Sequence, residues 1–320
     1  MAANSVLLIA ARDNRGYELE ARAVATAGGT FSVVRYEDLE AALPLDADVV
    51  VNAGDWPLDR FLHGLPACRA VVSYGVGLDW IDVKAATARG ILVVHTPLAN
   101  VTDVAVHTLA LLLACSRRLL EYDDHIRSGG FRPAGWTPLR RLDGQTLGLL
   151  AFGNIPQRLV PLVEPLGMRI LAWDPYVDPE RMRGAHVEPG SLEDVLASSD
   201  VVSVHVPAVP ETVGFLDGAK ISQLKRGAIV LVTSRGHVYD ADALADALHN
   251  GHVAAAGLDV FPQEPLRAGH RLLSCGNAIL TPHVAGFSAE SDLAARTAVA
   301  EALTMIAREA IPPGAVNATG

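Results

Sequence analysis

The stretch "LGLLAFGNIPQRLV" (147–160) runs from an apolar strand pattern into a turn whose chemistry would rest on Gly153, Asn154 and Ile155. A glycine at that point lets the backbone approach an anion. The N–H groups of a helix's first turn have no intrahelical acceptor and can point at it. Asp174 closes the next apolar run, 21 residues beyond Gly153, where a carboxylate can take ribose hydroxyls. The pattern suits a dinucleotide site of the G-x-G-x-x-G kind, and with no Arg or Lys directly after Asp174 it favours NAD over NADP. Two of the three glycine positions are filled otherwise, by Ala151 and Pro156. Ala151 is expected to be accommodated at negative φ, and Pro156 to lack only an N–H that a first-turn residue does not use. Pro161 falls mid-helix, where proline costs about 3 kcal/mol, so a kinked or short helix is predicted. The same residues also read as an ordinary βαβ turn closed by a strand-end aspartate, and one glycine does not decide between the two.

The elements that would position these residues are short β-branched runs separated by helical stretches. One set covers 6–10, 31–36, 47–53, 69–75 and 90–96; a second covers 146–152, 169–174, 200–206, 228–234, 253–260 and 277–283. Continuous apolar strands alternating with helices imply parallel sheets covered on both faces. The predicted fold is α/β, with two doubly wound, Rossmann-like or flavodoxin-like parallel-sheet domains and an interdomain cleft. The boundaries are placed at 1–98 plus 285–320 for one domain and 99–284 for the other. A long helical pattern from Asn100 towards Gly129 carries Arg117 and Arg118 near its carboxyl end, and another comes after Ser288.

With 320 residues, half of them apolar and 19% charged, the chain is long enough for two cores. A net charge of −10 without a Lys/Arg cluster argues against nucleic acid or an acidic membrane as partner. No signal-peptide pattern and no eighteen-residue apolar run is present, so a cytoplasmic protein is expected. Cys68, Cys115 and Cys275 are far apart in apolar surroundings and read as buried free thiols. His249 and His252 in "HNGH" have no third ligand nearby; the Asn-Gly between them reads as a helix stop, and no metal is expected. Trp56, Trp80, Trp136 and Trp173 read as packing residues. The loop holding Arg127, Arg132, Arg140 and Arg141 reads as a solvated connector.

At "VTSRGHVYDADAL", "AAGLDVFPQEPL", "ILTPHVAGFS", "YGVGLDWIDVKAATARGILVVHTP" and "TDVAVHTLALLLA" the sequence resembles the D-isomer-specific 2-hydroxyacid dehydrogenase family, which includes phosphoglycerate dehydrogenases and the C-terminal-binding-protein corepressors. The resemblance covers nearly everything from about residue 65 onward. It implies an NAD-binding domain over 99–284, a substrate domain from the remainder, and a homodimer formed through the helix after residue 100. It further implies a catalytic Arg235, Glu264 and His283, and a substrate-binding Val76, Gly77 and Asn100. Cofactor contacts are implied at His205, Val206, Pro207, Thr233, Ser234, Asp259 and Gly286, with Asp259 facing the nicotinamide amide. Where many relatives carry Arg or Lys this chain has Ser73, which counts against a phosphorylated substrate such as 3-phosphoglycerate. No regulatory domain is expected after residue 320, unlike the longer phosphoglycerate dehydrogenases.

The chemistry of the implied roles is coherent. A planar guanidinium can hold a carboxylate and polarise the neighbouring carbonyl. Histidine has the pKa range for the proton donor, and a carboxylate beside it raises that pKa and orients the ring. The expected function is therefore hydride transfer between NADH and a small 2-keto or 2-hydroxy acid. The alternative is an NAD(H)-binding regulatory or scaffold protein of the corepressor type with little turnover.

Overall fold

The computed structural model describes residues 5–10, 16–54, 57–59, 61–96, 98–132 and 139–318. Trp56 and Trp136 lie outside them. The chain divides into two compact units, residues 1–100 with 288–320 and residues 101–287.

In the first unit, strands β1 (Ser5–Ala10), β2 (Thr30–Arg35), β3 (Val49–Asn52), β4 (Ala70–Ser73) and β5 (Leu92–Val94) alternate with helices α1 (Glu18–Thr26), α2 (Leu39–Ala42) and α3 (Val83–Ala88). The sheet is parallel, in the order β2-β1-β3-β4-β5. Successive residues point to opposite faces, and both faces are covered. Leu7, Ile9, Val50, Val71 and Val93 build one core, and Val6, Leu8, Val49, Val51 and Val72 build the other.

The second unit begins with α4 (Val101–Arg117) and α5 (Leu119–Arg127). It continues as β6 (Thr146–Leu150), α6 (Asn154–Val163), β7 (Arg169–Trp173), α7 (Pro179–Gly184), β8 (Glu188–Pro189), α8 (Leu192–Ser198), β9 (Val201–Val204), α9 (Gly218–Gln223), β10 (Ala228–Val232), α10 (Ala241–His249), β11 (Val253–Leu258) and β12 (Ala278–Leu280). Its strands pair in parallel in the order β12-β11-β10-β9-β6-β7-β8. The order reverses between β6 and β9, and ligands of open α/β sheets bind beside such a reversal, at the carboxyl ends of the strands. The chain then returns to the first unit with α11 (Ala289–Ala307), whose Ser288 and Ser291 side chains and backbones cap each other reciprocally. All eleven strands expected from the sequence are present; the short edge strand β8 has no apolar run to announce it.

One local expectation needs correction. The helix after Asn100 is not continuous: Arg118 adopts φ 50° and separates α4 from α5, which has no buried residue of its own. In the connector after α5, Arg140 stays largely exposed, as expected of a solvated segment, while donating to the buried Asp200 at 2.9 Å. As the mid-helix proline predicts, α6 is short: it runs through Pro161 for two more residues and then gives way to a 3-10 turn, Glu164–Leu166.

The three cysteines are buried and unbridged. Asn250 and Gly251 end α10. The ring of His249 donates to the Ala245 carbonyl and that of His252 to the Ile221 carbonyl. Among the described residues no group of three His, Cys, Asp or Glu could hold a metal, and no helix is long and apolar enough to cross a membrane.

Helix α4 is the element on which the loops of the second unit lean. Its buried stripe, Val104, Ala105, Thr108, Leu111, Leu112 and Cys115, lies over the sheet at helical spacing. A Cβ on Gly257 in β11 would sit 2.8 Å from Leu111 Cβ, so only glycine allows this close an approach. Gly257→Ala is expected to destabilise the fold by about 1–3 kcal/mol through overpacking, measured as a shift in the urea unfolding midpoint.

Candidate active site

The β6–α6 turn keeps the donors that an anion needs. Gly153 stands at the N-cap of α6 without a side-chain cap bond. Its N–H and those of Asn154 and Ile155 have no helical acceptor, and a Cβ at Gly153 would meet nothing within 4 Å. Pro156 is buried against the core and sits where no N–H is required. Ala151, in contrast, departs from the expected negative φ: it stands at φ 80°, the left-handed conformation natural to the glycine it replaces. Asp174 accepts the N–H groups of Phe152 and Tyr176, each at 2.8 Å, so its carboxylate closes this turn as well as standing at the end of β7. Gln157 Nε2 donates to the Phe152 carbonyl and its Oε1 accepts from Arg181, two ties that no sequence pattern announces.

At the ends of β9 and β10 lie two buried polar atoms without a partner, His205 Nδ1 and Ser234 Oγ. The other ring nitrogen of His205 pairs with Ser203 Oγ at 2.8 Å. Burial pushes the His205 pKa down to about 3, leaving a neutral imidazole. Orphaned buried groups call for a partner. Their place beside the β6–β9 reversal fits a bound dinucleotide. Val206 is buried and Pro207 exposed at the same strand end. Thr233 is buried, its hydroxyl 2.9 Å from Thr108 Oγ1.

Arg235, Glu264 and His283 are brought into one electrostatic cluster by the loops after β10, β11 and β12. His283 Nδ1 donates to Glu264 Oε2 at 2.7 Å, and Glu264 Oε1 accepts the Phe261 N–H at 2.9 Å. The bond to Glu264 is the main influence on His283 and raises its pKa above 6.5, against burial and the Arg235 charge, which lower it. Burial pulls Glu264 upward, but the His283 bond, the Phe261 amide and the positive charges of His283 and Arg235 together hold it below 4.5. The pair is thus poised as imidazolium and carboxylate, with His283 Nε2 unengaged among the described residues.

Gly236, which stands outside every expected site position, explains how these loops meet. A Cβ there would lie 1.9 Å from the Phe261 backbone, so the turn after Arg235 lies directly on the segment leading to Glu264. Tyr239, whose hydroxyl donates to the Val260 carbonyl at 3.0 Å, fastens the same contact. The glycine directly after the arginine is the sequence signal that could have found it.

Asp259 directly follows β11. It is completely buried, and its oxygens accept from the Thr281 hydroxyl at 2.5 Å, the Val284 N–H at 3.0 Å and the Ala285 N–H at 2.9 Å. Its backbone carbonyl also accepts the His283 N–H at 2.8 Å. What it holds is the loop of His283, which stands at φ 54°; Gly286 continues that loop.

In the first unit, Val76 and Gly77 form a turn at the end of β4. The Val76 carbonyl accepts from His95 Nδ1 at 3.0 Å and the Gly77 carbonyl from Trp80 Nε1 at 2.8 Å. With both carbonyls turned back, the Val76 and Gly77 N–H groups have no partner among the described residues. Trp80 therefore fixes the turn as well as packing in the core. Ser73 is fully buried, and its hydroxyl accepts the Gly75 N–H at 3.1 Å. Asn100 is half-buried in the turn before α4.

Ala151→Gly should stabilise the protein by about 0.5–1 kcal/mol, because it relieves a left-handed alanine at a modest cost in unfolded-state entropy; denaturant unfolding measures this. In ring-proton NMR titrations His283 should protonate with a pKa above 6.5. Glu264→Gln should move it downward, since the largest raising influence is then gone; an unmoved pKa would contradict the coupling.

Residues 109–285 match the model for D-isomer specific 2-hydroxyacid dehydrogenase, NAD binding domain. The chain is 38% identical over 283 residues to D-3-phosphoglycerate dehydrogenase of Mycobacterium leprae, covering 88% of this chain and 53% of that protein. It therefore spans about half the length of that relative. It is 39% identical over 277 residues to glyoxylate reductase of Korarchaeum cryptofilum, covering 85% of this chain and 83% of that protein. D-lactate dehydrogenase of Aquifex aeolicus, solved with NAD and lactic acid, superposes with a TM-score of 0.86 at 26% identity over 99% of this chain and all of that one. The glycine-poor turn thus lies within a matched NAD-binding domain, and the chain belongs to the D-isomer specific 2-hydroxyacid dehydrogenase family.

Proposed function

We propose that this chain is an NAD-dependent D-2-hydroxyacid dehydrogenase that works as a 2-keto acid reductase. The observation that carries this reading is the His283–Glu264 bond of 2.7 Å, electrostatically coupled to Arg235 in the unit that holds the dinucleotide turn. Gly153, Asn154, Ile155, Asp174, His205 and Ser234 would hold the cofactor. NADH, when bound, supplies the hydride that reduces the keto carbon.

The chain's own residues do the rest. The Arg235 guanidinium takes the substrate carboxylate and draws electron density from the neighbouring carbonyl. His283, its Nδ1–H given to Glu264, presents a protonated Nε2 and passes that proton to the carbonyl oxygen. Glu264 stabilises the imidazolium before transfer and orients the ring throughout. In the oxidative direction neutral His283 takes the proton from the hydroxyl. The Val76 and Gly77 N–H groups and the Asn100 side chain are our proposed further substrate contacts.

Ser73 favours an unphosphorylated acid, since its buried hydroxyl offers no cation at that strand end. We also propose a homodimer, because Leu119, Leu120, Ile126 and Phe131 expose an apolar surface on and after α5, each more than half exposed.

A panel of unphosphorylated 2-keto acids assayed by NADH oxidation, alongside NADH fluorescence titration, tests the reading. His283→Ala should lower turnover about a hundredfold or more, with NADH affinity little changed. Cofactor binding without turnover on any acid would instead favour a regulatory, cofactor-sensing protein.

A further inference from the structure

Two adjacent side chains of α4, His107 and Thr108, reach the two loops that carry the proposed acid–base and carboxylate-binding groups. Thr108 Oγ1 donates to the Val104 carbonyl at 2.7 Å, so the hydrogen in its 2.9 Å contact with Thr233 belongs to Thr233. Thr233 stands two residues before Arg235. His107 Nε2 lies 3.1 Å from Thr281 Oγ1 and 3.6 Å from Asp259 Oδ1.

The direction of this second chain of bonds is fixed by counting hydrogens. A carboxylate only accepts, so the Thr281 hydroxyl must donate in its 2.5 Å contact with Asp259. Thr281 has no second hydrogen and must accept from His107. The proton on His107 therefore sits on Nε2. The relay runs from His107 through Thr281 to Asp259, the same carboxylate that receives the N–H groups of Val284 and Ala285, directly after His283. His107 keeps 23% of its side chain exposed, so its hydrogen bond rather than buried bulk distinguishes it.

We propose that His107 is a positioning residue. Through Thr281 and Asp259 it holds the loop that presents His283, while Thr108, through Thr233, holds the strand end that presents Arg235. One turn of α4 thereby sets the proton donor and the carboxylate-binding cation in a common frame. The catalytic meaning of this frame rests on the reductase reading; the latch itself does not.

The test uses His107→Leu, which keeps bulk and loses the donor, His107→Gln, whose Nε2 can donate from nearly the same place, and Thr281→Val. In the protein without cofactor, amide hydrogen exchange at Val284 and Ala285 should accelerate about tenfold or more in His107→Leu and Thr281→Val, while β6 and β7 amides stay unchanged. His107→Gln should restore protection. In turnover, His107→Leu should lower kcat about tenfold with NADH affinity within about twofold, and add little in the Thr281→Val background. Unchanged exchange at Val284 and Ala285 in His107→Leu, or a His107→Gln variant as defective as the leucine, overturns the proposal. If His107→Leu does not fold, Thr281→Val carries the same exchange test. Should exchange respond as expected while the wild type reduces no keto acid, the latch stands and the functional reading falls. With an active wild type and an unresponsive loop, the reverse holds.

Discussion

A carboxylate with no exposure has to be met by donors, and in this protein Asp259 is met by a whole loop. Two backbone amides and a threonine hydroxyl converge on it, and its own carbonyl takes the His283 N–H. An unsatisfied buried carboxylate would be costly. The segment after β12 therefore has little freedom to choose another path. The left-handed backbone at His283 is held by these contacts, and the bond to Glu264 depends on it. The electrostatics of the pair come last in the order of causes: once the ring is pinned, the carboxylate raises its pKa and is lowered in return.

The sheets explain why so few residues suffice. The strands of the second unit run parallel, so the loops at their carboxyl ends lie along one edge of the sheet, and three of them bring Arg235, Glu264 and His283 together. Parallel pairing fixes the register, and burial on both faces fixes which side chains point inward. In the first unit the buried Glu20 carboxylate, gripped by both Arg296 Nε and Nη2 and by the Tyr74 hydroxyl, performs a comparable task beside the turn of Val76 and Gly77.

Much of this was legible in the sequence, for physical reasons. Continuous apolar strands announce doubly covered parallel sheets, and Gly153 with Asp174 announces a turn that can approach a phosphate. Motifs around Arg235, Glu264 and His283 carried the site. What escaped depended on three-dimensional contact. Nothing local says that Ala151 sits at positive φ, that Arg118 interrupts a helical pattern, or that Asp259 turns inward to its own loop. Side-chain ties such as Gln157 to Phe152 and Trp80 to Gly77 join residues whose types have many other uses. Gly236 was visible as a letter, but its reason, the backbone of Phe261 lying where a methyl group would be, exists only in the fold.

That contact at Gly236 constrains how the site can change. With backbone against backbone there is no layer of side chains to absorb a displacement, so the segments bearing Arg235 and Glu264 form one rigid body. Widening the space around the guanidinium by shifting its loop would drag the partner of His283 with it. Altered substrate preference is therefore accessible to evolution or redesign mainly through positions outside these two loops, whereas the spacing between charge recognition and proton transfer is inherited as a single unit.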